Sequence, residues 1–206
     1  MSDADSGAGR VPVLRAGMLA AAALLFVGVA ALAAMIWAFA AFPRAAFHAY
    51  LAGYAYVLSA VLGCMAFTMI SHAANATWPV AVRRVPEAIG ASMPLLALLF
   101  VPVLLGLRTL YPWAHPQDFD GPIRDMLEHR RVYMNPTWFV VRAIAYLAFW
   151  SLLGVLLREW SVAMDRGKDP ERCSRRLRRL SYAGLPLLGL TAGYAAYEWF
   201  MSLSPG

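Results

Sequence analysis

The feature that most constrains this chain is a run of 27 residues, 16–42, without a single charged side chain. As one helix this run would be about 40 Å long, more than the hydrocarbon core of a bilayer, which is about 30 Å thick. The whole chain of 206 residues is 61% hydrophobic and only 15% charged, which lies outside the range of soluble globular domains. The sequence therefore predicts an all-α integral membrane protein.

Four further apolar runs follow the first, so we predict a bundle of about five transmembrane helices. The predicted spans are residues 16–42, 45–70, 88–107, 137–157 and 181–203. Residues 1–15 are a tail, and the first span is too long for the core of a signal peptide, so we interpret it as an uncleaved anchor. The transmembrane domain covers residues 16–203, with an outer loop at 108–136 and a basic loop at 162–180.

The basic residues predict how the chain is oriented. One side of the membrane receives Arg10, Arg15, Arg83, Arg84 and the arginines of the segment "MDRGKDPERCSRRLRRL". The other side receives Arg44 and a loop whose arginines are balanced by acids. By the positive-inside rule the N-terminus and the basic loop are cytoplasmic, and five crossings place the C-terminus outside. The excess of 18 basic over 12 acidic residues is thus a signal of topology, and we expect no nucleic-acid partner.

Metal and haem sites are not predicted for this chain. Cys64 and Cys173 are isolated and lack metal-ligand spacing. His48 and His72 lie on one predicted span, about 36 Å apart along a helix, whereas a bis-His haem needs histidines at matching depth on two helices. The other two histidines belong to the outer loop.

Ionisable side chains inside membrane spans are costly, so they are default functional candidates. Arg142 and Glu198 lie near the outer ends of the fourth and fifth spans. Because these helices are antiparallel, the two side chains fall at the same depth, and we expect an ion pair that relieves both burial costs. His48 enters the second span from the same side. Tyr194 precedes Glu198 by one helical turn, so it joins the outer candidates.

Two polar and aromatic helix faces surround this expected pair. Three- and four-residue spacing groups Thr191, Tyr194, Glu198 and Ser202 on the fifth span, and Arg142, Tyr146 and Trp150 on the fourth. Faces that meet in this way form a pocket for a polar-headed aromatic ligand, a wet path for protons, or a buried pair that only fixes helix packing. The spacing leaves these three interpretations open.

A second group of polar residues lies towards the cytoplasmic side. It contains His72, Trp78, Arg83, Arg84 and Glu87. Either arginine can form an ion pair with Glu87 if the third helix begins early, and Pro86 indicates that it begins close by. The alternative is a short cytoplasmic turn with topogenic arginines and an interfacial tryptophan.

Four stretches carry a resemblance to a known family. They are "SHAANATWPVAVRRVPEAIGASMPLLALLFVPVLLGL", "LYPWA", "YMNPTWFVVRAIAYLAFWSLLGVLLREWS" and "YEWFMSLSP". In this order, over about residues 45–205, they resemble the ActF membrane subunit of alternative complex III, in the NrfD/PsrC-like family. His72, Trp78, Arg83, Arg84 and Glu87 match its His-rich turn and RRxxE-like stretch.

The resemblance implies a subunit, without its own redox centre, of a quinol-oxidising respiratory complex in a bacterial inner membrane. Haem and iron–sulfur clusters are then expected in partner subunits, together with a sister NrfD-like subunit, and quinone is a possible ligand. The ionisable residues would belong to a proton path or a quinone-site region, with the proton path favoured. Candidates are His48, His72, Glu87, Arg142, Tyr194 and Glu198, while Arg83 and Arg84 are expected in structural ion pairs.

The chain departs from the family pattern at three places. Ser71 and His72 stand where the family tends to have two histidines, and Glu198 replaces the usual Asp. Family members have about twice as many helices, so we expect an N-terminal half, as a fragment or as one piece of a split subunit.

The alternative function is a structural or assembly subunit, and a transporter is a weaker third interpretation because no internal repeat is visible.

Overall fold

The computed structural model describes residues 10–75, 83–114, 121, 135–167 and 169–203. These residues form helices and turns, and no strand occurs among them. Within them, the helical stretches long and apolar enough to cross a membrane are Ala21–Ala41, Pro43–Ala73, Arg84–Leu105 and Pro136–Asp165. The protein is therefore an all-α membrane bundle, as the sequence predicts.

The chain divides into two compact units, Met1–Ala46 and Phe47–Gly206. In the first unit, helix α1 (Arg10–Ala41) is 32 residues long and begins before the predicted span. Along Ala21–Ala41 its large apolar side chains are exposed, which suits contact with lipid.

The second unit holds most of the helices. Their bounds are α2 (Pro43–Ala73, which begins in the first unit), α3 (Arg84–Gly90), α4 (Met93–Leu99), α5 (Val101–Leu105), α6 (Leu107–Leu110), α7 (Pro136–Asp165) and α8 (Pro170–Trp199). Short 3₁₀ turns follow at Pro112–Ala114 and Met201–Leu203. Helix α7 packs against α8, α4 and α3 and so organises the unit.

Three- and four-residue spacing sets which side chains are buried. On α2 they are Leu51, Tyr54, Leu58, Val61, Met65, Thr68 and Met69. On α7 they are Phe139, Ala143, Leu147, Trp150, Leu153, Gly154, Leu157 and Ser161. One stripe of each helix therefore faces the core and the opposite side is left for lipid.

The third predicted span is broken where we expected one helix over residues 88–107. Pro94 and Pro102 lie in the first turns of α4 and α5, because proline has no N–H to continue a preceding helix. At the second break the N–H of Phe100 bonds the carbonyl of Ala97 at 3.3 Å instead of that of Leu96.

Tyrosines of α2 satisfy the backbone at this break. Tyr54 donates its hydroxyl to the Leu96 carbonyl at 3.2 Å, and Tyr50 donates to the Leu99 carbonyl at 2.5 Å. An unsatisfied carbonyl within the hydrocarbon costs several kcal/mol, about the value of a lost hydrogen bond in an apolar medium. The two hydroxyls therefore allow the broken helix to remain inside the bundle.

The segment predicted as a basic loop, residues 162–180, is largely helical, and this part of the prediction is wrong. Helix α7 continues to Asp165, and α8 begins at Pro170. Asp169 caps α8 by accepting from the N–H of Arg172 at 3.3 Å, and Pro170 suits the first helical position. The arginines between residues 172 and 179 thus lie on a helix, whereas Arg166 lies in the turn between the two helices.

The fifth predicted span, 181–203, corresponds to the second half of α8 and the final 3₁₀ turn. Helix α8 is not among the four stretches that qualify as spans by length and composition, so the count of five crossings stays a prediction. Trp78 and most of the predicted outer loop lie outside the described residues.

Candidate functional site

The expected pair between Arg142 and Glu198 is present. Arg142 lies near the start of α7, whose first turn is fixed by Asn135 accepting from the N–H of Thr137 at 2.9 Å. Glu198 lies in the last turn of α8. The Arg142 Nε is 2.6 Å from Glu198 Oε1, and the Glu198 side chain is only 2% exposed. A carboxylate this deeply buried needs a partner of opposite charge, and Arg142 is that partner.

Around the pair, the two expected helix faces do meet. Trp150 of α7 donates its indole N–H to the hydroxyl of Thr191 on α8, at 2.9 Å. The Ser202 hydroxyl donates back to the Glu198 carbonyl. Trp150 also packs edge-on against Trp199, at 5.9 Å between ring centroids. The pair is therefore held between two helices whose contact is both polar and aromatic.

Tyr194 and His48 were expected at the same place. Tyr194 is 50% exposed and lies beside a shallow groove on the outer surface of α8, whereas Glu198 points into the bundle. Tyr194 precedes Glu198 by four residues, so it lies at the edge of the buried side that Ala195, Glu198 and Trp199 form near the end of α8. His48 lies in the first turns of α2 with an exposed side chain, and its membership of the site stays a prediction.

A second cluster, the Glu87 cluster, lies at the other end of the bundle and consists of Glu87, His72, Arg84, Ser161 and Asp165. The side chain of Glu87 is completely buried at the start of α3. Ser161 of α7 donates its hydroxyl to Glu87 Oε1 at 2.6 Å. Arg84 Nη1 lies 3.3 Å from Glu87 Oε2. Both carboxylate oxygens are thus held by polar groups, as burial of a charge requires.

His72 connects this buried carboxylate to the surface. Its Nε2 is 4.0 Å from Glu87 Oε1, and its side chain is 17% exposed. This distance permits electrostatic attraction but is too long for a hydrogen bond. A small movement or one bridging water would complete the contact.

The neighbouring arginines Arg83 and Arg84 form ion pairs with two acids. The sequence left open which arginine pairs with Glu87, and the structure assigns Arg84 to it. Arg83 instead pairs with Asp165, the last residue of α7, and Arg84 contacts Asp165 as well. Both arginines are therefore in ion pairs, as expected, and Asp165 joins the start of α3 to the end of α7.

Helix α8 secures the same end of the bundle from another side. Arg178 donates to the side-chain oxygen of Asn75 at 2.6 Å, and Tyr182 donates to the carbonyl of Ala73 at 3.1 Å. The last turn of α2, which carries His72, is thereby tied to α8. The position of His72 relative to Glu87 depends on these bonds.

Ser161 and Asp165 were not among the predicted site residues. Their four-residue spacing puts them on one face of α7, which is a usable signal. However, Ser161 follows the end of the predicted fourth span and Asp165 lies in the predicted basic loop. The sequence therefore suggests that both are surface residues. Their partners, which are Glu87 for Ser161 and the two arginines Arg83 and Arg84 for Asp165, come from the start of α3, and only the packing of α3 on α7 brings them together.

The described residues include no group of three or more His, Cys, Asp or Glu side chains arranged to hold a metal ion. The buried carboxylates of the Arg142–Glu198 pair and of the Glu87 cluster can bind, hold or release protons. No protein-family model matches the chain, and a comparison with curated proteins finds no match.

Proposed function

We propose that the chain is a membrane subunit of a quinol-oxidising respiratory complex of the alternative complex III type, in a bacterial inner membrane, and that it contributes a proton-conducting path. The observation that carries this proposal is the pair of buried carboxylates, Glu87 and Glu198, at opposite ends of one bundle. Each has an arginine partner. The resemblance over residues 45–205 supplies the respiratory context, with redox centres in partner subunits.

The Glu87 cluster has the properties of a proton entry from one membrane surface. His72 is partly exposed and lies 4.0 Å from a carboxylate that is itself closed to solvent. A proton taken up by the imidazole reaches Glu87 when the gap closes or a water fills it. Ser161 fixes Oε1 in position, and Arg84 holds Oε2, so the carboxylate is aligned for this transfer.

The Arg142–Glu198 pair supplies the corresponding site at the other end. About 28 Å of helix separates Arg142 from Ser161 at 1.5 Å per residue. Among the described residues between them, buried Thr68 and Ser181 bond carbonyls of their own helices. The two clusters therefore suit two half-paths that open at opposite faces rather than one continuous chain of side chains.

A proton role fits the outer pair better than a quinol site does. A quinol site needs a base and a donor facing a pocket that is open to lipid. The groove beside Tyr194, of about 620 Å³, is open and apolar. Glu198 is buried and does not line this groove, so base and groove do not coincide within the described part of the chain.

The alternative function is a structural or assembly subunit. It is favoured by the direct arginine contact of each carboxylate, since such pairs can serve helix packing alone. The two functions differ in what a neutral carboxamide does in the assembled complex. If the carboxylate belongs to a proton path, the carboxamide lowers the turnover of the complex. If it belongs to a packing pair, the carboxamide lowers the amount of complex that assembles.

The test uses Glu198→Gln and His72→Ala in the complex purified from membranes. We expect normal subunit recovery but quinol-dependent turnover or proton release lowered at least about tenfold, a modest loss for a proton-transfer residue. Glu198→Asp keeps the charge and should retain most activity. Glu171→Gln is the control, because that side chain is 85% exposed. Lost assembly with unchanged turnover per complex would support the structural alternative instead.

A further inference from the structure

A groove on the arginine-rich end of the bundle is not used by either cluster. It lies between the last third of α7 and the turn that joins α3 to α4, and its volume is about 350 Å³. Its lining residues are Ala91, Val155, Arg158, Glu159, Val162, Ala163 and Arg166. The groove thus combines an apolar floor with three charged side chains.

The charged residues leave the groove with a net positive charge. Arg158 lies on α7 and Arg166 directly follows its last residue, about 12 Å further along the helix axis. In the part of the chain that the structure describes, no carboxylate is recorded within 4.0 Å of either guanidinium. Glu159 offsets one of the two charges. One positive charge remains, which a single phosphodiester would neutralise.

Arg158 is placed at a depth that favours a lipid phosphate as the counterion. It lies about 10 Å before the end of α7 and directly follows the uncharged run 143–157. Its neighbours in the groove are Val155 and Val162. A charged side chain at this depth either extends towards the headgroups or pairs with an anion.

Neighbouring residues mark this end of the bundle as an interface. The guanidinium of Arg176 lies over the ring of Trp160 at 5.9 Å, and tryptophan is enriched at the headgroup level. The exposed side of the first half of α8 carries Arg172, Arg175, Arg176 and Arg179. Basic segments next to a membrane span attract anionic lipids.

We infer that this groove binds an anionic phospholipid, with an acyl chain along Val155 and Val162 and the phosphate between Arg158 and Arg166. The charge balance selects a lipid with one net negative charge over a zwitterionic one. This site is independent of the proposed respiratory function, because it requires only that the chain spans a membrane.

The test is native mass spectrometry of the purified full chain in detergent, titrated with phosphatidylglycerol or phosphatidylethanolamine. We expect phosphatidylglycerol to bind more tightly. Arg158→Gln should weaken its binding about tenfold, the loss expected for one charge-assisted contact. Glu159→Gln should tighten it, because a repelling carboxylate is removed. Arg175→Gln is the control, since that arginine pairs with Glu171 on the surface of α8.

Two results would overturn the inference. Equal binding of both lipids, unchanged in Arg158→Gln, would mean that lipid covers the groove without a specific site. Weaker binding in Glu159→Gln, with phosphatidylethanolamine preferred, would mean that Glu159 binds the ammonium group of a zwitterionic lipid. Thermal unfolding of the variants with each lipid separates lost binding from lost folding, because a folded variant without the site is no longer stabilised by phosphatidylglycerol.

Discussion

At the scale of single residues, the two buried carboxylates are held differently. Glu198 forms an ion pair with Arg142 on the facing helix. Glu87 is held by a hydroxyl, an arginine and, at longer range, an imidazole that is partly open to solvent. Glu87 is therefore the better placed of the two carboxylates to exchange a proton with the surface. Proton exchange at Glu198 requires that its ion pair with Arg142 opens.

The dependence of Glu198 on Arg142 can be measured directly. Arg142→Met leaves a buried carboxylate without its partner, so we expect a loss of about 3 kcal/mol or more in stability. The double variant Arg142→Met, Glu198→Met removes both charges and should recover most of that loss. The measurement is thermal unfolding in detergent, analysed as a double-mutant cycle. Losses that simply add would show that the two side chains do not stabilise each other.

At the scale of the elements, the broken third span is what positions Glu87. The early start of α3 turns Glu87 towards α7, and the close approach of the two helices depends on glycine. A Cβ built at Gly154 would lie 2.3 Å from the carbonyl oxygen of Gly90. That oxygen belongs to the backbone, so it cannot move aside as a flexible side chain would.

Gly154→Ala should therefore separate α7 from α3. We expect a loss of about 1–3 kcal/mol in stability, the usual range for overpacking, and weaker contact between Ser161 and Glu87. Gly63→Ala on α2 is the matched control, because nothing lies within 4 Å of its Cβ position. Thermal unfolding of both variants in detergent gives the comparison. A Gly154 variant as stable as the control would mean that the helices are not closely packed there.

The sequence predicts the Arg142–Glu198 pair well because helical rise and antiparallel direction alone fix its depth. It predicts the surroundings of Glu87 less well, since the contacts of Ser161 with Glu87 and of Asp165 with Arg84 depend on how α7 is rotated against α3. Tyr194 shows the same limit. Its spacing from Glu198 suggests a shared face. However, the buried side of α8 is centred on Ala195 and Trp199, so the Tyr194 side chain remains exposed. Pro94 and Pro102 indicate the breaks in the third span, but its hydropathy alone predicts one continuous helix.

At the scale of the whole molecule, the described charged side chains of the unit Phe47–Gly206 lie near its two ends. The core between them is apolar and aromatic, with Met65, Met69, Phe100, Trp150 and Trp199 fully buried. Such an arrangement keeps water and ions out of the middle of the membrane while placing ionisable groups near each face. It suits the proposed proton-conducting function.

The most direct test of this account is affinity purification of the tagged chain from its native membrane in mild detergent. Co-purifying proteins are identified by mass spectrometry, and quinol oxidation by the purified material is measured. We expect multihaem and iron–sulfur subunits, a second NrfD-like chain and quinol-dependent reduction of an electron acceptor. Recovery of the chain alone, or with proteins that carry no redox centre, would contradict the respiratory function and leave the buried charges as helix-packing pairs.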